Sequence, residues 1–234
     1  MCGRYSLTAP DPAQLRARFA VAEAVAVEPH YNITPGTDVL AVTTDREGRR
    51  RFEELRWGLV PSWANDTKTG FKMINARAET LAERPAYRRA FERFRCLIPA
   101  DGFYEWQQIP GERRKQPFHI TRAGGELFAF AGLWSVWHRG QPEELRSCTI
   151  ITAAANSRIA PIHDRMPVIL PQEAEALWLA RDAPLPELQR LLVGLPPEDM
   201  ELRPVGPAVN DVRYDGPECL FDPPPPAQET LFAQ

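Results

Sequence analysis

The chain has 234 residues, 44% of them hydrophobic, with 31 acidic and 28 basic side chains and a formal charge of −3. This is enough to bury one substantial core, and the weak negative charge argues against indiscriminate adhesion to polyanions. No apolar run reaches membrane-span length and no signal-peptide pattern opens the chain. The four cysteines (Cys2, Cys96, Cys148, Cys219) and four histidines (His30, His119, His138, His163) lack the spacing of a disulfide framework or metal cage, so a cytoplasmic protein with reduced thiols is expected.

Pro10-Asp11-Pro12 followed by AQLRARFAVAEA predicts a helix with proline in its first turn, and YNITPGT reads as a loop. DVLAVTT and RFEELRWGLV, joined by DREGRR, predict a β-hairpin. AETLAERPAYRRAFERF is the strongest helical stretch, with Pro85 kinking it or starting a second helix. CLIPA, GFYEWQQ, QPFHIT, ELFAFAGLWSVW, SCTIITAAA and MPVIL then follow at the short intervals of an antiparallel sheet or barrel. EAEALWLA and LPELQRLLV predict short helices. The expected class is α+β, a single domain with a mainly antiparallel, barrel-like β core flanked by helices. That domain is placed at residues 1–217, with residues 218–234 as a proline-rich, disordered tail.

Cys2 follows an initiator methionine that is usually removed before a small residue. A free Cys2 terminus would join an α-amine of pKa near ~7.8, against ~10.4 for lysine, to a thiol on the adjacent carbon. An aldehyde condenses with such an amine, and the thiol closes a five-membered thiazolidine on the imine. A cysteine at this position is also often incidental. Between Lys68 and Lys115 eleven basic residues face six acids, a local +5 that leaves −8 for the rest of the chain. This suits either a phosphate-contacting groove or a solvated helix face.

In GFYEW a strand would set Phe103 and Glu105 on one face, making Glu105 either a carboxylate of raised pKa among aromatics or a surface residue paired with arginine. Asn75 and Arg77 lie two apart, on one side of an extended segment. Asn75 suits orienting an amine or thiol, or else capping a turn, and Arg77 offers a fork for phosphate. His163, in IHDRMP, is a candidate acid or base at a strand entrance, or a turn residue held by Asp164.

Taken together, MCGRY, YNITPGT, RWGLVPSW, MINARAET, RCLIPADGFYEW, FAFAGLWSVW, CTIITAAAN, IHDRMPVIL and VNDVRYDGP resemble the SOS response-associated peptidase family, the abasic-site processing proteins. The resemblance runs in order from residue 2 to about residue 217. It implies covalent capture of abasic sites in single-stranded DNA, with single-strand/double-strand junctions as a candidate setting, by a thiazolidine at Cys2. Asn75 would orient the Cys2 terminus, Glu105 would move protons, and His163 would act at the sugar. Arg4, Lys72, Arg77 and Arg165 would contact phosphates, and RWGLVPSW would form a stacking wall for bases. The same resemblance implies a monomer without cofactor or metal, with peptidase, lyase or crosslink-reversal activity as accompaniments. An N-terminal-nucleophile peptidase and a non-covalent reader of modified or damaged DNA stand as the alternatives.

Overall fold

The structure, a computed structural model, describes residues 2–9 and 11–224. In chain order the strands are β1 (Tyr5–Leu7), β2 (His30–Ile33), β3 (Asp38–Thr44), β4 (Arg50–Trp57), β5 (Asn75–Arg77), β6 (Arg95–Ala100) and β7 (Gly102–Gln107). They continue with β8 (Gln116–Arg122), β9 (Phe128–Trp137), β10 (Leu145–Ala154), β11 (Arg165–Pro167), β12 (Ile169–Leu170) and β13 (Met200–Pro204). Among the described residues four α-helices accompany them: α1 (Pro12–Phe19), α2 (Pro85–Arg93), α3 (Glu175–Leu179) and α4 (Leu185–Arg190).

Strands β10, β4, β3, β6 and β9 pair in that order, and β9 pairs back with β10, so the five close into a barrel. All its pairings are antiparallel except β10 with β4. A second sheet runs in the order β13-β8-β7-β1-β2. The two meet through aromatic rings: Tyr5 of β1 lies edge-on to Trp57 at 5.4 Å and to Phe130 at 5.6 Å, and Phe103 of β7 also reaches Phe130. Each such ring pair adds about 0.5–1.5 kcal/mol beyond its area burial. The α+β class and the barrel-like core agree with the sequence reading.

Local boundaries follow local chemistry. Asp11 accepts from the Ala13 amide to start α1, and Ala20, at φ 51°, ends it earlier than the apolar spacing suggested. Pro85 starts α2, since its missing N–H costs nothing in a first turn. The first half of the expected YNITPGT loop is strand β2, whose outer amides at Tyr31 and Asn32 donate to Asp215 Oδ1 at 2.6 and 2.7 Å. A distant carboxylate thus completes an edge that local propensity did not reveal.

β4 and β5 lie end to end along β10, so the chain between them is expelled as a loop. Its neck closes where Gly58 and Gly70 touch: a Cβ on Gly58, which sits at φ 129°, would lie 2.8 Å from Gly70 O. The loop carries Trp63, 65% exposed, and Phe71, 70% exposed. At the other end of the chain, the body extends beyond residue 217. Pro217–Leu220 form a 3-10 turn with Cys219 buried beside Tyr104, Val205 and Val209, and Gly206 N–H donates to Phe221 O at 2.8 Å. The rest of the expected tail, residues 225–234, lies outside the described residues.

Candidate active site

β1 pairs with β7 in the register Tyr5↔Phe103, and the Tyr104 amide donates to Arg4 O at 3.0 Å. Continuing that register sets Gly3 across from Glu105, so the first residues of the chain run along the strand that carries this carboxylate. Cys2 is wholly buried, and its thiol lies 3.8 Å from Arg4 O. Burial pushes the Cys2 thiol well above its ordinary range, and the charge of Glu105 pushes it further. Glu105 is only 3% exposed. Burial raises its pKa too, with His163 and Lys115 pulling in the opposite direction.

The neighbouring sheet delivers Asn75. β5 runs parallel to β10 with Asn75 opposite Ile150, and the Tyr87 hydroxyl and Trp57 indole donate to the carbonyls of Asn75 and Ile74. So held, Asn75 Nδ2 donates to Cys2 O at 2.8 Å. Its Oδ1 is buried and has no hydrogen-bond partner among the described residues, which leaves one strong acceptor unused. Asn75 therefore does not cap a helix: the following turn, Ala78–Thr80, has no side-chain cap.

His163 is half-buried just before β11, and its charge acts on Glu105. Its Nδ1 lies 2.9 Å from both the Arg165 amide N–H and Asp164 Oδ1. The amide needs a lone pair there and the carboxylate needs an N–H, so the placement of the ring hydrogen decides which of the two bonds is made.

The four cations of the sequence reading fall into two groups. Lys72 and Arg77 are exposed, without an ion pair among the described residues. Arg165 instead grips Glu79 through two bonds of 2.6 and 3.0 Å and donates to Thr152 O, and that contact holds Glu79 below the usual carboxylate range. Arg4 donates to Asn32 Oδ1 and Val209 O and lies over the Trp106 ring. Both are tied into the frame around the site. Within the +5 segment, α2 carries Arg88 and Arg89 to solvent whereas Arg95 is buried.

A further set escaped the sequence reading: Ser6 donates to Asp101 Oδ1 at 2.6 Å and meets His119 Nε2 at 2.9 Å, while Thr8 bonds the other oxygen of Asp101. Ser6 has one hydrogen, given to Asp101, so His119 Nε2 is the donor to Ser6 Oγ. The network fastens β1, and with it the Cys2 end, to the turn between β6 and β7. Ser6 directly follows the motif MCGRY and Asp101 stands in RCLIPADGFYEW, but nothing local signals that they meet.

A sequence profile for the family described as SOS response associated peptidase (SRAP) matches residues 1–212. The chain belongs to that family. Its relatives include the abasic site processing protein YoaM of Bacillus subtilis, 42% identical over 94% of this chain and 97% of that protein. YedK of Escherichia coli, which carries the same description, is 31% identical over 94% and 99%. HMCES of Gallus gallus, again an abasic site processing protein, is 36% identical over 82% of this chain and 66% of its own length. A solved protein from Bacteroides thetaiotaomicron superposes with a TM-score of 0.83 at 24% identity, covering 94% of this chain and 99% of that one, and so shares the fold. A phage-related protein from Bordetella bronchiseptica gives 0.71 at 29% identity over 87% and 94%.

Proposed function

We propose that this SRAP protein captures abasic sites in single-stranded DNA as a covalent thiazolidine at Cys2 and thereby shields the lesion from strand cleavage. The observation that carries the reading is the clamp on the chain start: Asn75 Nδ2 on Cys2 O, with Glu105 buried along the same strand end. The printed descriptions of the relatives, as abasic site processing proteins, support the substrate.

Once Met1 is removed, the Cys2 amine attacks C1′ of the ring-opened deoxyribose to form a carbinolamine. Glu105, protonated more readily than an ordinary carboxylic acid, gives its proton to the leaving hydroxyl, and as water departs it takes back the proton of the nitrogen, leaving the neutral imine. The Cys2 sulfur then bonds to the imine carbon and the thiol proton passes to nitrogen. The raised thiol pKa favours this order, with the amine first and the neutral thiol second. The same shift disfavours the thiolate that a peptidase nucleophile requires. The unused Asn75 Oδ1 accepts from the amine or a sugar hydroxyl. His163, able to give or take a proton at Nδ1, serves the sugar side, and Lys72 and Arg77 meet the flanking phosphates.

The test is incubation of purified protein with a single-stranded oligonucleotide bearing one abasic site, followed by a denaturing gel and intact mass. A shifted species lacking Met1, formed by the wild type and absent with Cys2→Ala, is expected. Failure of protein confirmed to lack Met1 to form that species overturns the reading.

A further inference from the structure

The end of the barrel away from Cys2 holds a cleft of about 460 Å³ lined by eight arginines. The hairpin turns of β3–β4 and β9–β10, the end of α2 and the segment after α3 converge there, bringing together residues from four separate stretches. Asp45 and Glu47 also line it, and Arg49 pairs with both. Glu53, shared by Arg51 and Arg146, together with Glu144 and Asp182, supplies the other carboxylates nearby. Eight guanidiniums against five carboxylates leave a charge of +3 on a protein whose total is −3.

Arg95 contributes in an unusual way. It is buried, has no carboxylate partner among the described residues, and donates instead to the carbonyls of Phe91, Glu92, Trp178 and Ala180 at the C-terminal ends of α2 and α3. Arg95 thus spends its donors inside the fold, and the cations free to meet a ligand lie above it. Above it, Arg46, Arg139 and Arg181 are exposed, with no hydrogen bond or ion pair among the described residues. Guanidiniums of this kind match phosphate oxygens two at a time.

The cleft adjoins a second groove of about 540 Å³, and the two share Phe94, Trp134 and Arg139. That groove is bordered by the exposed Trp63, on the expelled loop that also carries Phe71 and Lys72. An aromatic-lined groove beside an arginine-lined cleft is the combination that holds single strands, stacking bases on one side and gripping phosphates on the other. From Thr152, which pairs with Arg77 beside the Cys2 site, to Arg146 at the cleft is six residues of β10, or about 20 Å at ~3.3 Å per residue.

We propose that the arginine cleft is a second DNA-contacting site, which takes the phosphodiester backbone of the same single strand after it has left the Cys2 site and crossed Trp63. The proposal rests on the reading that Cys2 engages single-stranded DNA. At ~3.4 Å per stacked nucleotide the span corresponds to about six nucleotides, so shorter strands do not reach the cleft.

The test compares wild type with the triple variant Arg46→Gln/Arg139→Gln/Arg181→Gln, whose melting temperature is checked first. Affinity for an undamaged strand of roughly 25 nucleotides is measured by fluorescence anisotropy across a salt series. Crosslinking is measured separately on an abasic strand of about five nucleotides. Loss of three phosphate contacts predicts a salt slope shallower by about 2 and long-strand binding weaker by roughly tenfold or more, with short-strand crosslinking unchanged. Long-strand affinity and slope equal to wild type overturn the proposal, as does an equal loss on the short strand. A wild type that crosslinks nothing yet shows the predicted difference on long strands retains this proposal and overturns the Cys2 chemistry alone.

Discussion

Acid sensitivity of the anchor beneath the Cys2 strand follows from His119. The ring is 7% exposed, tilted against Tyr104 at 4.9 Å, and donates to Ser6, so a second ring proton brings an unsolvated charge into the core. Burial lowers its pKa from 6.5 to about 4. A histidine depressed in the folded state contributes stability that is fully present above pH 6.5 and is lost as pH falls through 4. At about 1.4 kcal/mol per unit, the loss between pH 7 and pH 4 is about 3 kcal/mol. Carboxylates also titrate in this range, so the comparison is with His119→Gln, whose uncharged side chain leaves the other groups in place. Urea unfolding of both proteins at half-unit pH steps measures the difference. The wild type is expected to lose about 3 kcal/mol more than the variant, and parallel curves would show that the imidazole does not carry the effect.

Three other outcomes are expected. Glu105→Gln should slow crosslinking about 10²-fold. Because burial raises the Glu105 pKa, its contribution to stability is lost as pH rises through that value, so the variant should also melt higher than wild type at alkaline pH with a gap that narrows as pH falls; a pH-independent gap contradicts this. Asn75→Ala removes the bond to Cys2 O and should slow crosslinking about fivefold, the equivalent of about 1 kcal/mol, in single-turnover kinetics. Trp63→Ala, at a side chain 65% exposed, should leave the melting temperature nearly unchanged and weaken single-strand binding by about 1–3 kcal/mol; unchanged affinity excludes the residue from the DNA path.

Short-range patterns in the sequence determined most of the elements and the central groups of the candidate site. Period-two alternation in GFYEW places Glu105 on the face of Phe103, and both are buried there. The two-residue spacing of Asn75 and Arg77 holds on β5, and Pro85 opens α2 for the reason proline opens helices. Cys96 on β6 and Cys148 on β10 are buried.

Only the tertiary structure decided which polar groups meet. Arg165 and Glu79 are 86 residues apart, Arg4 and Val209 are 205 apart, and β2 depends on Asp215 for two amide partners. Cys219 is buried because the turn at Pro217–Leu220 folds back on Tyr104 and Val209. The arginine cleft draws only Arg93 and Arg95 from the basic segment that the sequence singles out, and its other arginines arrive on turns and loop ends elsewhere. A charge on a surface turn carries no local mark of the carboxylate or phosphate it will face, whereas burial of an apolar face repeats with the period of the element. The elements were therefore legible in the chain, and the fate of each cation was set by strand pairing across the barrel.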